Sequence, residues 1–309
     1  MLGLVLAFIA TAFWASFYIV SRYAFGENDK VIIDPVFFSF LRFMFASLFF
    51  LMVLGWRGKL GDTTRVFKKN LWIFGFLAVA GIVGEGILVF WSMKYTTAAR
   101  SSLFANASPI FTVLMAMAVG ERLNWRKSLG MVIGFAGAAV AIVSRGGGDM
   151  YFSTTSILGD LLALGSGICW AAYTVWGAGV SEKFGSLAST SISIILGTVI
   201  IFALVVCCGS PMVWNFSWKL WLAIIYLGVC GNGISYLCWF AALKYLKAGE
   251  LGAFGYISAA LTALLSFTLL GETFTVSFFL AMGGIIFGVY LMMEKLPEKA
   301  GKGFSLPTD

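Results

Sequence analysis

Two charged side chains, Arg42 and Glu85, lie inside long apolar runs of a chain that is 60% hydrophobic. A charge in a hydrocarbon environment costs about 2.5–3.5 kcal/mol even on lenient insertion scales, so such residues are candidates for function. Two interpretations stay open. The residues form an ion pair that joins two helices, or they line a cavity in which Arg42 holds a carboxylate of a solute or Glu85 titrates.

Other kinds of chemistry are missing from the sequence. The chain has no histidine, which removes the commonest general base and metal ligand. It has no G-x-x-x-x-G-K-[ST] loop to hydrolyse ATP, and its five cysteines show no metal-binding spacing. We therefore expect no catalytic residues, no enzyme activity, no cofactor and no metal site.

Polar and aromatic side chains form stripes at helical spacing. Asn232, Ser235, Tyr236 and Trp239 occupy i, i+3, i+4 and i+7 of one apolar run, and Glu85 corresponds to Ser235 in an earlier run. A polar stripe inside a membrane span should face protein or water rather than lipid. These residues are therefore expected to face the interior.

A second pair of stripes begins at two tryptophans, Trp14 and Trp170, each about thirteen residues into its run. This depth is too great for an aromatic belt at the membrane surface. The rings would pack along a cavity wall and suit an aromatic or amphipathic solute. The predicted substrate-binding residues are Trp14, Tyr18, Arg42, Glu85, Trp170, Tyr173, Ser235, Tyr236 and Trp239.

The elements that must position these residues are membrane helices. Only 11% of the residues are charged and the mean hydropathy is +0.94, far from the values of a soluble protein. Crossing a bilayer takes about 20 apolar residues. The predicted spans are approximately 2–21, 36–55, 71–93, 98–119, 127–143, 157–180, 187–208, 218–241, 249–270 and 277–293.

The chain repeats itself at a shift of about 150 residues. Trp14 matches Trp170, Lys94-Tyr95 matches Lys244-Tyr245, and Gly120-Glu121 matches Gly271-Glu272. Each copy holds five predicted spans, so the copies must cross the membrane in opposite orientations. This predicts an all-α membrane protein of ten transmembrane helices in two inverted five-helix repeats.

The predicted organisation is a first repeat at 2–143, a connecting loop at 144–156, an inverted second repeat at 157–293 and a tail at 294–309. If the N-terminus is inside, fourteen lysine and arginine residues lie in the cytoplasmic segments, most clearly at 56–70, and six lie on the opposite side. Because cytoplasmic loops carry the excess of positive charge, both termini are expected in the cytoplasm.

Two glutamates, Glu121 and Glu272, end the fourth span of each copy. A negative charge just before a helix complements the helix dipole. We therefore expect each to stabilise the fifth helix, which follows it in the chain.

The sequence resembles the EamA family of the drug/metabolite transporter superfamily over about residues 2–293. The resemblance rests on Trp14 and Trp170, on Phe40-Leu41-Arg42-Phe43, on the stretch from Ala98 to Pro109, and on the Gly-Glu pairs. The start of the second repeat, Gly159 to Leu164, also matches. The second copy departs from the family pattern because it lacks counterparts of Pro109 and Arg42.

The resemblance implies efflux or exchange of small organic solutes, and the deep aromatic stripes favour the aromatic-amino-acid exporter type. We expect a secondary transporter of amino acids or their analogues that works by alternating access at a midplane cavity. The alternatives are a passive channel or facilitator and a membrane-embedded lipid-handling enzyme. The expected partners are a small-molecule substrate and the lipid bilayer of the plasma (inner) membrane, with no nucleic acid and no ATPase required.

Overall fold

The computed structural model describes residues 1–25, 33–92, 94–95, 101, 104–121, 124–143, 154–270 and 276–293. Every regular element in these ranges is helical. The connecting loop predicted at 144–156 falls largely outside the described residues, and the tail at 294–309 lies entirely outside them. The helices are α1 (Leu2–Phe25), α2 (Pro35–Trp56), α3 (Leu60–Lys69), α4 (Leu71–Ser92), α5 (Ser108–Ala118), α6 (Trp125–Val143), α7 (Thr154–Phe184), α8 (Ser186–Cys207), α9 (Trp218–Ala242), α10 (Ala248–Leu270) and α11 (Val276–Met292).

Within the residues that the structure describes, five helices are long and apolar enough to cross a membrane: α2, α4, the 157–184 part of α7, α8 and α9. Shorter apolar helices lie at Leu2–Phe17, Ser108–Ala118 and Met282–Met292. The large apolar side chains that remain exposed are spread along the outer faces of these helices. Such a surface is stable only in a lipid environment, which identifies a membrane-embedded protein.

Helix α3 was not expected, because its residues fall in the predicted 56–70 loop. It places Asp62 in its first turn and Lys68 and Lys69 in its last turn, which complements the helix dipole at both ends. Most of its residues are exposed. The segment is therefore a short amphipathic helix between two apolar ones.

Two membrane helices begin at side-chain caps. The Asp34 carboxylate accepts hydrogen bonds from the backbone N–H groups of Val36 (3.0 Å) and Phe37 (3.1 Å), and Pro35 supplies the first helical residue of α2. Ser217 caps α9 in the same way by accepting from Leu220 N at 3.3 Å. These caps explain why both helices begin within one residue of the predicted position.

Helices α4 and α9 each contain a π-helical segment, at Val79–Gly84 and Leu227–Ile234. The α-helical pattern resumes at Glu85 in α4 and at Ser235 in α9, the two residues that the repeat makes equivalent. A Cβ on Gly81 would lie 2.1 Å from the Tyr173 ring, so the close approach of this ring requires glycine. π segments are frequent at functional sites because they redirect side chains within a helix.

Matching helices of the two copies pack against one another in antiparallel fashion. In the α2–α8 pair, Phe40 contacts Phe202 at 5.1 Å between ring centroids, and Ser47 Oγ lies 2.8 Å from Thr198 Oγ1. In the α6–α11 pair, a Cβ on Gly130 would lie 2.5 Å from Gly288 O. Further along the same pair, a Cβ on Gly284 would lie 3.5 Å from Gly137 Cα.

The α5–α10 pair follows the same rule. A Cβ on Gly255 would lie 3.4 Å from Pro109 Cγ, and a Cβ on Gly252 would lie 2.9 Å from Thr112 Cγ2. Helices α1 and α7 also pack against the opposite copy, but their main partners there are not each other. Helix α1 contacts α9 and α10, and helix α7 contacts α4 and α5. The interior is therefore built between the copies and not separately within each.

Candidate binding cavity

A cavity of about 140 Å³ lies between the two copies. Its volume is close to that of an apolar cavity of about 150 Å³ that accommodates benzene, so it can take a small solute with one ring. The walls combine aromatic rings, two charged groups and small polar residues. The lining residues are Trp14, Phe17, Arg42, Glu85, Val89, Ala105, Asn106, Ser108, Ser166, Gly167, Trp170, Asn232, Tyr236, Gly255 and Ser258.

One wall is an aromatic cluster of Trp14, Trp170 and Tyr236. The Trp14 ring meets Trp170 at 5.1 Å and 87°, and it meets Tyr236 at 6.0 Å and 90°. Trp170 and Tyr236 lie 5.3 Å apart at 77°. These edge-on arrangements are the favourable ones for aromatic pairs and give the wall a fixed shape.

The cluster is tied to the π segment of α9. The Trp14 indole donates a hydrogen bond to Gly231 O at 3.0 Å, and the Ser235 hydroxyl donates to the same carbonyl. Ser235 is fully buried and does not line the cavity. Its hydroxyl therefore supports the wall from behind.

Tyr173 and Trp239 also lie behind the wall, and both are 0% exposed. Trp239 packs on Trp14 at 4.9 Å and donates its indole N–H to Thr174 Oγ1 at 3.1 Å. Tyr173 packs on Trp170 at 5.7 Å. These residues close the interior on the side toward the start of α1.

Arg42 lies in a cage of four phenylalanine rings at one side of the cavity. Its guanidinium carbon is 4.7 Å from the centroid of Phe17, 5.0 Å from Phe90, 5.3 Å from Phe38 and 5.5 Å from Phe43. Each such cation–π contact is worth about 0.5–2 kcal/mol, more where water is excluded. The cage holds a buried positive charge that is only 4% exposed.

Glu85 lines the same cavity and interacts electrostatically with Arg42. Both groups line the cavity, as the second of the two interpretations expects. Replacing one partner of a buried pair leaves an uncompensated charge, which costs about 3–5 kcal/mol. The cavity lining thus contains one cationic and one acidic side chain.

An interruption of the helix before α5 forms another part of the lining. Residues 106 and 107 form a turn, and α5 begins at Ser108 with Pro109 in its first turn. The predicted span 98–119 is therefore interrupted at residues 106–107, and Pro109 stands in the first turn of a helix, a position in which its missing N–H is not needed. The break presents the N-terminal end of α5, with its partial positive charge, to the cavity.

Gly167 leaves room for the backbone of the interrupted segment before α5 to pack close to α7. A Cβ at this position would lie 2.9 Å from Ala105 O and 3.4 Å from Ser108 N. Any larger residue would push the start of α5 away from α7. Discontinuous helices of this kind commonly form the binding sites of transporters.

Asn232 lines the cavity from the π segment of α9 and is only 3% exposed. Among the described residues, its amide nitrogen has no hydrogen-bond acceptor. A buried donor without a partner costs about 1–3 kcal/mol. Such a group in a cavity wall is a candidate contact for a bound solute.

The cavity is displaced toward one end of the bundle. Arg42 lies nearer the start of α2, whereas Glu85 and Val89 lie nearer the end of α4. These positions belong to the end of the bundle at which α2 begins. The opposite end carries the buried side chains Tyr173, Trp239 and Phe240.

Glu121 joins two elements at that opposite end. Its carboxylate accepts hydrogen bonds from the backbone N–H groups of Ala248 (2.9 Å) and Gly249 (3.3 Å), at the start of α10. Burial raises the pKa of this carboxyl group, while the two hydrogen bonds and Lys127 oppose the rise. The helix that Glu121 caps through hydrogen bonds is α10, which begins 127 residues away, and the matching Glu272 lies outside the described residues.

The structure brings together most of the predicted site residues. Trp14, Arg42, Glu85, Trp170 and Tyr236 line the cavity. Tyr173, Ser235 and Trp239 support its wall without lining it, and the Tyr18 side chain lies outside the described residues.

Sequence reasoning missed several lining residues. Asn232 belongs to the stripe that contains Tyr236 and could have been chosen as the only amide within it. Ser166 and Gly167 gave no such signal, because serine and glycine are common in membrane helices. Their role depends on where the break before α5 packs.

Comparisons with known proteins agree along the whole chain. The model of the EamA-like transporter family matches residues 1–143 and 157–294. An uncharacterized transporter of Archaeoglobus fulgidus is 30% identical over 285 residues, which cover 91% of this chain and 94% of that protein. The aromatic amino acid exporter YddG of Ancylobacter novellus is 28% identical over 197 residues, which cover 63% of this chain and 66% of the exporter.

One solved crystal structure is 22% identical and superposes with a TM-score of 0.80, covering 94% of this chain and 95% of that one. This likeness shows a shared fold.

Proposed function

This chain belongs to the EamA-like transporter family, and we propose that it is a secondary transporter of small organic metabolites in the plasma membrane. It works by alternating access, in which the two copies rock around the cavity between them. The observation that carries the proposal is the cavity itself, because it is lined by both copies and combines aromatic, charged and small polar groups.

The contacts between helices support an arrangement of ten membrane helices as two inverted repeats. Helices α2, α5 and α6 each pack antiparallel to their counterparts α8, α10 and α11. Antiparallel packing of equivalent helices is expected when one copy is inverted relative to the other. The matched π segments of α4 and α9 add a second correspondence.

The position of the cavity favours a carrier over a passive channel. A channel needs a continuous path, whereas here buried aromatic side chains lie between the cavity and the end of the bundle at which α1 begins. A structure closed on one side of its binding site is one state of an alternating-access cycle. The lipid-handling enzyme is disfavoured because the chain has no histidine and its relatives are called transporters.

The substrates are amino acids or their analogues, and the direction is export or exchange. The cavity volume and the Trp14–Trp170–Tyr236 wall suit a side chain with one ring. A relative that is 28% identical is called an aromatic amino acid exporter, which agrees with this chemistry.

The chain lies in the membrane with both termini in the cytoplasm. The sequence has no ATP-binding loop, so no ATPase subunit is part of the proposal. In this orientation the cavity lies toward the outer side of the membrane, and the Glu121 contact with α10 lies at the cytoplasmic end.

The test is counterflow in proteoliposomes. Vesicles loaded with unlabelled amino acid should take up the same labelled amino acid faster than empty vesicles, and uptake should saturate. Trans-stimulation distinguishes a carrier from a channel, because a channel conducts regardless of the solute on the far side. If no organic solute exchanges while the protein is monodisperse and folded, the transporter proposal fails.

A further inference from the structure

The amide nitrogen of Asn232 is the one feature of the cavity wall that the proposed transport cycle leaves unexplained. Asn232 is 3% exposed and lines the cavity. Within the described ranges its Nδ2 has no acceptor. A buried donor of this kind is retained at a cost in stability and marks a place for an acceptor that arrives with a ligand.

Asn232 stands on the part of α9 that packs against α2 and the Phe17 ring. A Cβ on Gly228, one turn earlier in α9, would lie 2.7 Å from Arg42 O, so this face of α9 packs on α2 at Arg42. The Phe17 ring lies against both elements, at 4.7 Å from the Arg42 guanidinium carbon and 3.6 Å from the Cβ position of Gly231. The N-terminal end of α5, which bears a partial positive charge, lines the same cavity at Ser108.

The balance of charges indicates the class of ligand. The cavity lining carries one cationic side chain, Arg42, and one acidic side chain, Glu85, so a solute with a single charge has a partner of opposite sign in one of them only. A zwitterion adds one charge of each sign and keeps the balance. Its carboxylate suits the side with Arg42, Asn232 and the start of α5, and its ammonium group suits Glu85.

Resting on the proposed transport function, we propose that Asn232 is the specificity-determining donor of the cavity, and that its Nδ2 donates to the carboxylate of a zwitterionic solute. The aromatic wall of Trp14, Trp170 and Tyr236 takes the side chain of the same solute. A solute without a carboxylate leaves the Asn232 donor unsatisfied and binds more weakly.

This proposal separates a binding role from a structural one. Where a donor holds the fold together, removing it lowers the thermal stability of the protein. Where a donor has a partner only in the ligand-bound protein, replacing it by an apolar group of similar size removes an unsatisfied polar group from the ligand-free protein. The ligand-free protein then melts at the same or a higher temperature, while ligand binding is lost.

The experiment uses the full-length protein in detergent with three probes: L-phenylalanine, 3-phenylpropionate, which lacks the ammonium group, and phenethylamine, which lacks the carboxylate. Thermal unfolding is measured against probe concentration for the wild type, for Asn232→Leu and for Asn232→Ala. The matched control is Asn70→Ala, because the Asn70 amide donates to Val66 O away from the cavity.

We expect L-phenylalanine to stabilise the wild type and to bind at least about 10-fold more weakly to Asn232→Leu, which corresponds to about 1.4 kcal/mol. The weak binding of 3-phenylpropionate should fall in the same way, and that of phenethylamine should not change. The ligand-free Asn232→Leu protein should melt no lower than the wild type, and Asn70→Ala should bind L-phenylalanine normally. Asn232→Ala should show the same pattern of probe binding if the leucine does not fit.

Two outcomes overturn the assignment. The first is binding of L-phenylalanine by both Asn232 variants within about 2-fold of the wild type, and the second is a wild type that no probe with a carboxylate stabilises. These outcomes are distinct from failure of the transport proposal. Counterflow of solutes without a carboxylate would leave the transporter intact and refute the role of Asn232, whereas an absence of any counterflow would refute transport itself.

Discussion

The indole N–H of Trp14 donates to the carbonyl of Gly231 at 3.0 Å, which joins the first helix of one copy to the π segment of the other. The same carbonyl also accepts from the Ser235 hydroxyl, so it anchors side chains of both copies. The cavity wall and the interface between the copies thus share one contact. A movement that separates α1 from α9 must break it.

Replacing Trp14 by phenylalanine keeps an aromatic ring and removes the donor. We expect Trp14→Phe to lose about 1 kcal/mol of stability, the typical net value of a hydrogen bond, and to transport more slowly, because the wall loses its anchor. Trp170→Phe is the matched control on the opposite helix. Equal losses in the two variants, measured by thermal unfolding and counterflow, would contradict a special role for the Trp14–Gly231 bond.

The π segment of α4 depends on the contact between Gly81 and Tyr173. A Cβ on Gly81 would lie 2.1–2.5 Å from three carbons of the Tyr173 ring, so Gly81→Ala must displace this fully buried side chain. We expect a loss of about 1–3 kcal/mol, as for other overpacked interiors. Thermal unfolding in detergent measures it.

Gly75 provides the control in the same helix. Nothing lies within 4 Å of its Cβ position, and its φ is not in the left-handed region. Gly75→Ala should be neutral or stabilising by up to about 1 kcal/mol, because alanine restricts the unfolded chain. If the two alanine variants melt at the same temperature, the packing of Tyr173 on Gly81 is not required for the fold.

Much of the fold was predictable, because a membrane helix can be recognised in the sequence as a long run of apolar residues. The sequence placed α2, α8 and α9 within a residue or two of their observed bounds. It missed α3, whose helical signal is short and polar, and the interruption at residues 106–107, which falls inside the predicted span 98–119. Neither feature follows from the hydropathy of a twenty-residue window.

The site was harder to predict than the fold. Helical periodicity shows which residues share one face of a helix, but it does not show which of them reach the cavity and which are buried behind its wall. It placed Tyr236 and Trp239 on one stripe, yet only Tyr236 reaches the cavity, while Trp239 is 0% exposed behind it. Asn232 stands on the same stripe and does line the cavity. Depth is set by contacts between the copies, such as that of Trp14 with Trp239, which a single sequence does not contain.

Glu121 holds the start of α10 at the end of the bundle opposite the cavity. Glu121→Ala removes both acceptors of the Ala248 and Gly249 N–H groups, and hydrogen bonds to a charged group are worth about 1.5–3 kcal/mol. Glu121→Gln retains one acceptor oxygen and should lose less. If Glu121→Gln lowers the unfolding temperature as much as Glu121→Ala does, this capping role is contradicted.

The same carboxyl predicts a dependence of stability on pH. Burial raises its pKa, against the opposing hydrogen bonds and Lys127, so the folded protein binds the proton more tightly than the unfolded chain does. This component of stability is therefore present at low pH and is lost as the pH rises from the ordinary glutamate pKa through the raised value. Glu121→Gln should remove that component, and a pH profile of the variant that matches the wild type would contradict the prediction.

The coupling between Arg42 and Glu85 can be measured with a double-mutant cycle. Arg42→Met and Glu85→Gln should each destabilise the protein, the first by about 3–5 kcal/mol, because it leaves a buried carboxylate without its compensating cation. The double variant should be less destabilised than the sum of the two. A coupling energy above about 1 kcal/mol indicates a direct pair, whereas additive losses would show that each residue acts separately on the cavity.

Glu85 is also the acidic group in the cavity lining, and with no histidine in the chain it is the candidate for proton coupling. We expect Glu85→Gln to abolish uptake driven by a pH gradient but to retain counterflow of the same solute at raised solute concentration, because counterflow requires only the movement of the loaded carrier and the higher concentration offsets the lost contact with the ammonium group. Trp170→Phe, which keeps the carboxylate, should remain responsive to the gradient. Unchanged pH-driven uptake in Glu85→Gln would refute the coupling role. Loss of both activities would instead indicate that the pairing of Glu85 with Arg42 is needed for the carrier to function.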